Sequence, residues 1–295
     1  MLASHPAADE DHDAPPAAEV RRREALASPL VFASPHSGRF YPPSLLAASR
    51  LSARDLRLSE DAWVDALIAP AEAAGAALVL AGWARAWADL NRGPRELDPL
   101  MFDTPPTEAA PNRTARVAAG LGCIPRIVGQ GREIYDRRLA TSEVERRLRS
   151  AWRPYHAALE RVLADARAAF GRAVLIDWHS MPSSAGAGER SRTGRAPDVV
   201  LGDRHGVSCS GLLTARVQAE FERRGYAVTR NSPYAGGWTT ERYGRPAEGT
   251  HVLQVELNRA LYIDEASLTQ TGGFARLRRD IGSVAEALAG FSVRL

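Results

Sequence analysis

Short apolar runs bounded by turn residues recur along this chain, and three of them open onto a histidine or a glutamate. Residues 30–33 are Leu-Val-Phe-Ala and lead through Ser34-Pro35 to His36. Residues 173–176 are Ala-Val-Leu-Ile and lead through Asp177-Trp178 to His179. Residues 252–255 are Val-Leu-Gln-Val and lead to Glu256. Runs of this length predict strands buried on both faces, and polar groups at the carboxyl ends of such strands face the crevice where ligands bind. The same reading places further strands at 76–80, 84–90, 198–201 and 226–229.

A 3.6-residue spacing marks the helices. Ser59 is placed to cap a helix running to about residue 74, with Val64, Leu67, Ile68 and Ala71 on one face. The longest amphipathic pattern runs from 142 to about 170 and aligns Val144, Leu148, Trp152, Tyr155, Leu159, Val162 and Leu163, with a kink expected at Pro154. Helices follow at 208–224 and at about 273–289, the last with Gly290 positioned to stop it. Strands alternating with helices predict an α/β protein, a three-layer α/β/α arrangement with a mixed, mostly parallel central sheet. Residues 93–113 read as a long loop. Residues 183–197 carry glycine, serine and arginine with no apolar anchor and should be mobile, either a lid over the site or a plain surface loop. Residues 1–20, acidic and rich in proline and alanine, read as a disordered tail, and 21–295 as a single catalytic domain.

Composition narrows the function more than the fold. All 38 basic residues are arginine, so there is no lysine for a P-loop, a Schiff base or a Ser-x-x-Lys hydrolase. No GxGxxG string follows a strand and opens a helix. The net charge of +3 comes with acidic residues interleaved and no basic stripe, which argues against nucleic acid as a partner. The amino terminus lacks the basic start and apolar core of a secretion signal, and no run is long and apolar enough for a membrane span, so a cytoplasmic location is expected. Cys123 and Cys209 stand in no metal spacing and read as reduced structural thiols.

Imidazole is the commonest transition-metal ligand, and a catalytic zinc takes three protein ligands plus an open position. His36 and His179 supply two, and a carboxylate should supply the third. Asp61 is the choice, with Glu60 and Asp65 as alternates, giving one zinc per chain. Asp177 lies on the same side of its strand as His179 and can orient that imidazole. Four other histidines rank lower: His5 and His12 in the tail, His205 in a turn, His156 on the long helix. Glu256, costly to bury unpaired, is the candidate general base, with Arg259 as a possible structural partner. Asn91-Arg92 ends a predicted strand and offers a fork for an anionic substrate, with Arg137 as the second donor; Arg85, Arg126, Arg138 and Tyr135 are further candidates. Ser37 and Ser180 lie in no nucleophile elbow. A metal-free protein that captures a carboxylate through Arg92 is the reading from a different class.

Taken in order, SPHSGRFYPPSL, EDAWVDALI, ARAWADLNRGP, GREIYDRRL, LIDWHSMPS, DVVLGDRHGVSCS, NSPYAGGWTTERYG and HVLQVELNRALYID resemble the N-formylglutamate amidohydrolase family from about residue 30 to 290. The resemblance implies a phosphorylase/hydrolase-like fold akin to the zinc carboxypeptidases and aspartoacylases, and hydrolysis of N-formyl-L-glutamate to formate and glutamate in histidine degradation. It implies His36 and His179 as zinc ligands, Glu256 as base and Asn91-Arg92 as receptor for the substrate carboxylate. The carboxypeptidase pattern has a glutamate three residues after the first histidine, where this chain has Arg39, so the third ligand must come from elsewhere. Another N-acyl amino acid or a short acyl peptide is the alternative substrate.

Overall fold

Strands covered on both faces must bury every side chain, and the apolar runs do so. All residues of β2 (Leu30–Ser34) and β3 (Ala77–Ala81) are buried, as are all nine of β4 (Ala173–Met181) and all four of β5 (Val199–Gly202). The computed structural model describes residues 14–110 and 113–292. With β1 (Ala18–Arg21), β6 (Val228–Arg230) and β7 (Thr250–Asn258), these strands form a seven-stranded sheet in the order β1-β3-β2-β4-β7-β5-β6. The pairs β2–β3, β2–β4, β4–β7 and β5–β6 are parallel, while β1–β3 and β7–β5 are antiparallel. The sheet is therefore mixed and mostly parallel, as expected.

Each face carries its own apolar layer. On one face Phe32, Leu78, Ile176, Trp178, Leu201 and Val255 pack with α2 (Gly211–Arg223) and α3 (Gly273–Ser292). On the other, Val31, Val79, Leu175 and Val252 meet Tyr155, Leu159, Val162 and Ala166 of α1 (Arg153–Phe170). A third cluster, around Trp83, Trp87, Phe102 and Tyr135, draws mostly on the long excursion between β3 and α1 and takes in Leu45 and Leu56 from the segment between β2 and β3. From β2 the chain passes to β3 on one side and later to β4 on the other. The strand order thus reverses between β2 and β4, the place where open α/β sheets bind ligands. Among the described residues no helix is long and apolar enough to cross a membrane.

Several expectations need correction. Residues 1–13 lie outside the described residues, and the stretch read as tail to residue 20 ends earlier, because Ala18–Arg21 pairs along β3 as an edge strand. The helix expected from Ser59 to residue 74 is interrupted: Trp63 adopts a left-handed backbone (φ 66°), and only Val64–Ile68 is α-helical. Residues 84–90 are not a strand, since Trp87 N–H bonds back to the Ala84 carbonyl at 2.9 Å in a turn. Their alternating small and large residues mimic a strand only because the segment, Arg85 apart, is buried. The break expected at Pro154 takes the form of a π turn at Leu148–Trp152, following the helix Ser142–Arg147 and immediately preceding α1. Gly290 does not end α3, which continues to Ser292.

Candidate active site

Strands β4 and β7 run side by side in a nine-residue register that pairs Leu175 with Val252, Asp177 with Gln254 and His179 with Glu256. Alternation sends all six toward the α1 face. The lower pair is apolar and belongs to the core; the upper two pairs are polar and form the floor of the site. His179 and Glu256 accordingly sit inside their strands, not beyond the ends. His36 arrives from the turn after β2. At Gly38 a Cβ would lie 2.0 Å from the Trp83 carbonyl oxygen, so only glycine permits this close approach. The Asp61 N–H then donates to the His36 carbonyl at 3.0 Å, tying the two segments together.

His36 Nδ1, His179 Nδ1 and Asp61 Oδ2 converge. The two nitrogens are 3.1 Å apart, and the carboxylate oxygen is 3.3 Å from the first and 3.2 Å from the second. The far nitrogen of each ring faces a carboxylate: His36 Nε2 lies 2.7 Å from Asp89 Oδ1, and His179 Nε2 lies 3.0 Å from Asp177 Oδ2. Each carboxylate accepts the N–H of the ring it faces, so in the neutral rings both Nδ1 lone pairs point at each other and at an anionic oxygen. That arrangement is repulsive unless a proton or a metal cation lies between them. Tetrahedral ligands at zinc distances stand about 3.3 Å apart, and carboxylates behind the imidazoles are the usual outer support of such a site, so these residues fit a zinc ion. All three are buried.

Burial alone would favour the neutral form of every group here, but the local charges overrule it. His179 is pushed well above the ordinary histidine range, burial being outweighed by Asp177, Asp61 and Glu256. Asp61 is held well below the usual carboxylate range: burial opposes this, and the hydrogen bonds with His179 and His36 and the charge of Arg259 prevail. Asp89 is likewise held low, against burial, by Arg85, His36 and Arg92. Glu256 differs. Burial raises it to about 7, with Asp61 adding and His179, Arg85 and Arg259 opposing, so it can both accept and return a proton near neutrality.

Of the alternates for the third carboxylate, neither joins the group. Glu60 accepts from Tyr41 at 2.6 Å and from Arg57, and Asp65 pairs with Arg39 at 2.6 Å. Arg259 serves Asp61 at 3.1 Å, Ser180 Oγ at 3.0 Å and the Glu60 carbonyl at 2.7 Å. Asn91 is committed at both ends: its Nδ2 donates to Gln254 Oε1 at 3.2 Å, and its Oδ1 accepts from the Thr239 N–H at 2.9 Å. Arg92 donates from Nε to the Leu121 carbonyl and from Nη1 to the Asn91 carbonyl, so two of its five N–H groups fix its plane. Arg137 is not brought in. It is exposed and lines a hollow of about 330 Å³ with Ser44, Arg138, Glu143 and Arg146, and none of the site carboxylates or imidazoles shares that hollow.

Sequence reasoning missed three participants. Asp89 orients His36 and accepts from Arg85 Nε at 2.9 Å. Gln254 links Asn91 to Glu256 Oε1 at 2.9 Å. The half-buried Tyr234 has its phenol raised by burial first and then by the charge of Glu256. Strand parity could have found Gln254, two residues before Glu256. No local signal marks the other two.

Fold and site together define an α/β protein that gathers a buried His/Asp/His group at the reversal point of a mixed sheet. The chain belongs to the N-formylglutamate amidohydrolase family, whose model matches residues 28–263. It is 34% identical over 241 residues to the N-formylglutamate deformylase of Pseudomonas aeruginosa, covering 80% of this chain and 83% of that protein. The corresponding protein of Pseudomonas putida is 32% identical over 240 residues, 80% and 82% of the two chains. The crystal structure of N-formylglutamate amidohydrolase from Ralstonia eutropha JMP134 superposes with a TM-score of 0.87 at 37% identity, covering 95% of this chain and 99% of the other.

Proposed function

We propose that this protein is a zinc-dependent amidohydrolase that cleaves N-formyl-L-glutamate to formate and L-glutamate. The observation that carries the reading is the convergence of His36 Nδ1, His179 Nδ1 and Asp61 Oδ2 within 3.1–3.3 Å, beside the strand-paired Glu256. His36, His179 and Asp61 would hold the metal, whose role when bound is to act as Lewis acid toward the scissile carbonyl and the attacking water. Glu256 takes the proton of that water as oxygen adds to the formyl carbon. It returns the proton to the amide nitrogen as the C–N bond breaks, so glutamate leaves as an amine. Asp89 and Asp177 keep the imidazoles aimed. Arg92, its plane set by two backbone carbonyls, offers its remaining N–H groups to a substrate carboxylate.

The relatives' names and the polar, arginine-lined site both favour a small anionic N-acyl amino acid over a bulky substrate. The test is release of formate from N-formyl-L-glutamate, compared with N-acetyl and N-carbamoyl glutamate and with the neutral α-amide, with metal content measured on the same samples. Turnover abolished by chelator and restored by zinc is expected, with loss of metal in His179→Ala. Full activity in a metal-free sample, or no hydrolysis of any N-acyl amino acid, would overturn the reading.

A further inference from the structure

Residues 87–92 present Asp89 to His36 and Asn91 to Gln254, yet they belong to no strand or helix. A loop without regular backbone pairing needs other partners for its carbonyls. Three of them are taken by side chains of one helical run. Arg147 Nη1 donates to the Trp87 carbonyl at 3.3 Å, His156 Nε2 to the Leu90 carbonyl at 2.9 Å and Trp152 Nε1 to the Arg92 carbonyl at 2.9 Å. The Trp87 indole reciprocates, donating to Ser150 Oγ at 3.0 Å, and the Arg147 guanidinium lies 4.3 Å from its ring. His156 is fixed in turn: a carbonyl can only accept, so Nε2 carries the proton, and Nδ1 accepts from the Tyr243 hydroxyl at 2.8 Å.

In a regular α-helix residues 147 and 152 would point about 140° apart, since five steps of about 100° make about 500°. The π turn at Leu148–Trp152 turns less per residue, and across it the same five steps leave them only about 50° apart. Trp152 to His156 adds about 40° more. The π turn thus puts three donors on one face, opposite three carbonyls.

We infer that the π-turned helix 142–170 is a clamp that sets the position of Asp89 and Asn91, with Trp152 and His156 as positioning residues for the reaction. They touch neither substrate nor reacting atoms. The consequence for turnover rests on the functional reading above, whereas the clamp itself does not. Releasing the Leu90 carbonyl should loosen residues 84–92, and misplacing catalytic supports by about 1 Å costs on the order of 10²-fold in rate.

The test uses full-length metal-free protein for hydrogen exchange by mass spectrometry and zinc-loaded protein for kinetics. His156→Leu should accelerate exchange in 84–92 by about tenfold or more, with β4 and β7 unchanged, and lower kcat about 10- to 100-fold with little change in KM. His156→Gln restores a donor at the same reach and should return both readouts to within about threefold of wild type. Deleting the exposed Arg149 removes the extra residue of the π turn and should reproduce the effect of His156→Leu. Unaltered exchange in 84–92 in His156→Leu would overturn the clamp whatever the activity. Localised loosening without loss of kcat would overturn its role in the reaction. A wild type that hydrolyses nothing would count against the functional reading and leave the exchange result to decide the clamp.

Discussion

His156 makes a sharp prediction about acid stability. Burial pushes its pKa down to about 4, against the opposing hydrogen bond to Leu90, whereas in the unfolded chain it should titrate near 6.5. The unfolded state therefore binds the proton first as pH falls. The stabilising contribution is complete above about pH 6.5, declines as pH drops through that value and levels off below about pH 4. Its limit is about 3 kcal/mol, from a gap of about 2.5 at 1.36 kcal/mol per pH unit, and at pH 5 the loss amounts to about 2 kcal/mol. The side chain is 3% exposed, so solvent screening does not discount this figure appreciably. Urea unfolding of metal-free wild type and His156→Gln at about pH 7.5 and pH 5 measures it. Every other titrating group is common to both proteins and cancels in the double difference. Wild type should lose about 2 kcal/mol more than the variant between the two pH values. Equal losses would show that His156 is not held neutral by burial and would refute the reasoning.

Three further outcomes are expected. Glu256→Gln should keep its metal and its circular dichroism while kcat falls by about 10²-fold or more, because the amide preserves shape but cannot take a proton; near-normal turnover would exclude Glu256 as the base. Gly237→Ala should cut activity in a folded protein, since the added Cβ would lie 2.4–2.6 Å from the Asn91 amide and displace it; unchanged kinetics would show that Asn91 tolerates movement. Burial pushes the Cys209 thiol up to about 12 and raises Cys123 well above its ordinary value, so neither should react with a thiol reagent at about pH 8 until denaturant is added, as absorbance would report.

The strands that carry chemistry were legible because both signals, an apolar run and a polar group at its end, are local. That is why His36, His179, Asp177 and Glu256 could be picked out and why the structure brings them together with Asp61. Segment 84–90 was misread as a strand for an equally physical reason: two of its carbonyls are satisfied by Arg147 and His156, more than fifty residues away, and nothing in Ala-Arg-Ala-Trp-Ala-Asp announces such partners. The helix from Ser59 failed at Trp63, whose left-handed backbone no propensity would assign to a tryptophan. Arg137 was favoured on charge alone, and charge does not say which way an exposed side chain faces.

The nine-residue register between β4 and β7 also bears on how the protein folds. Shift β7 by one residue and Gln254 and Glu256 turn into the layer occupied by Trp178, Phe221 and Ile281, where an amide and a carboxylate would be stranded among hydrocarbons. Val255 would meanwhile take a place on the polar floor. A misaligned sheet thus forfeits its core and its chemistry in the same error, and a molecule that is folded yet miswired is not a state open to this chain. Trp178, wedged between Asp177 and His179 on the opposite face, reports that event from the inside: its burial on refolding and the alignment of His179 with Glu256 are two sides of one strand falling into place.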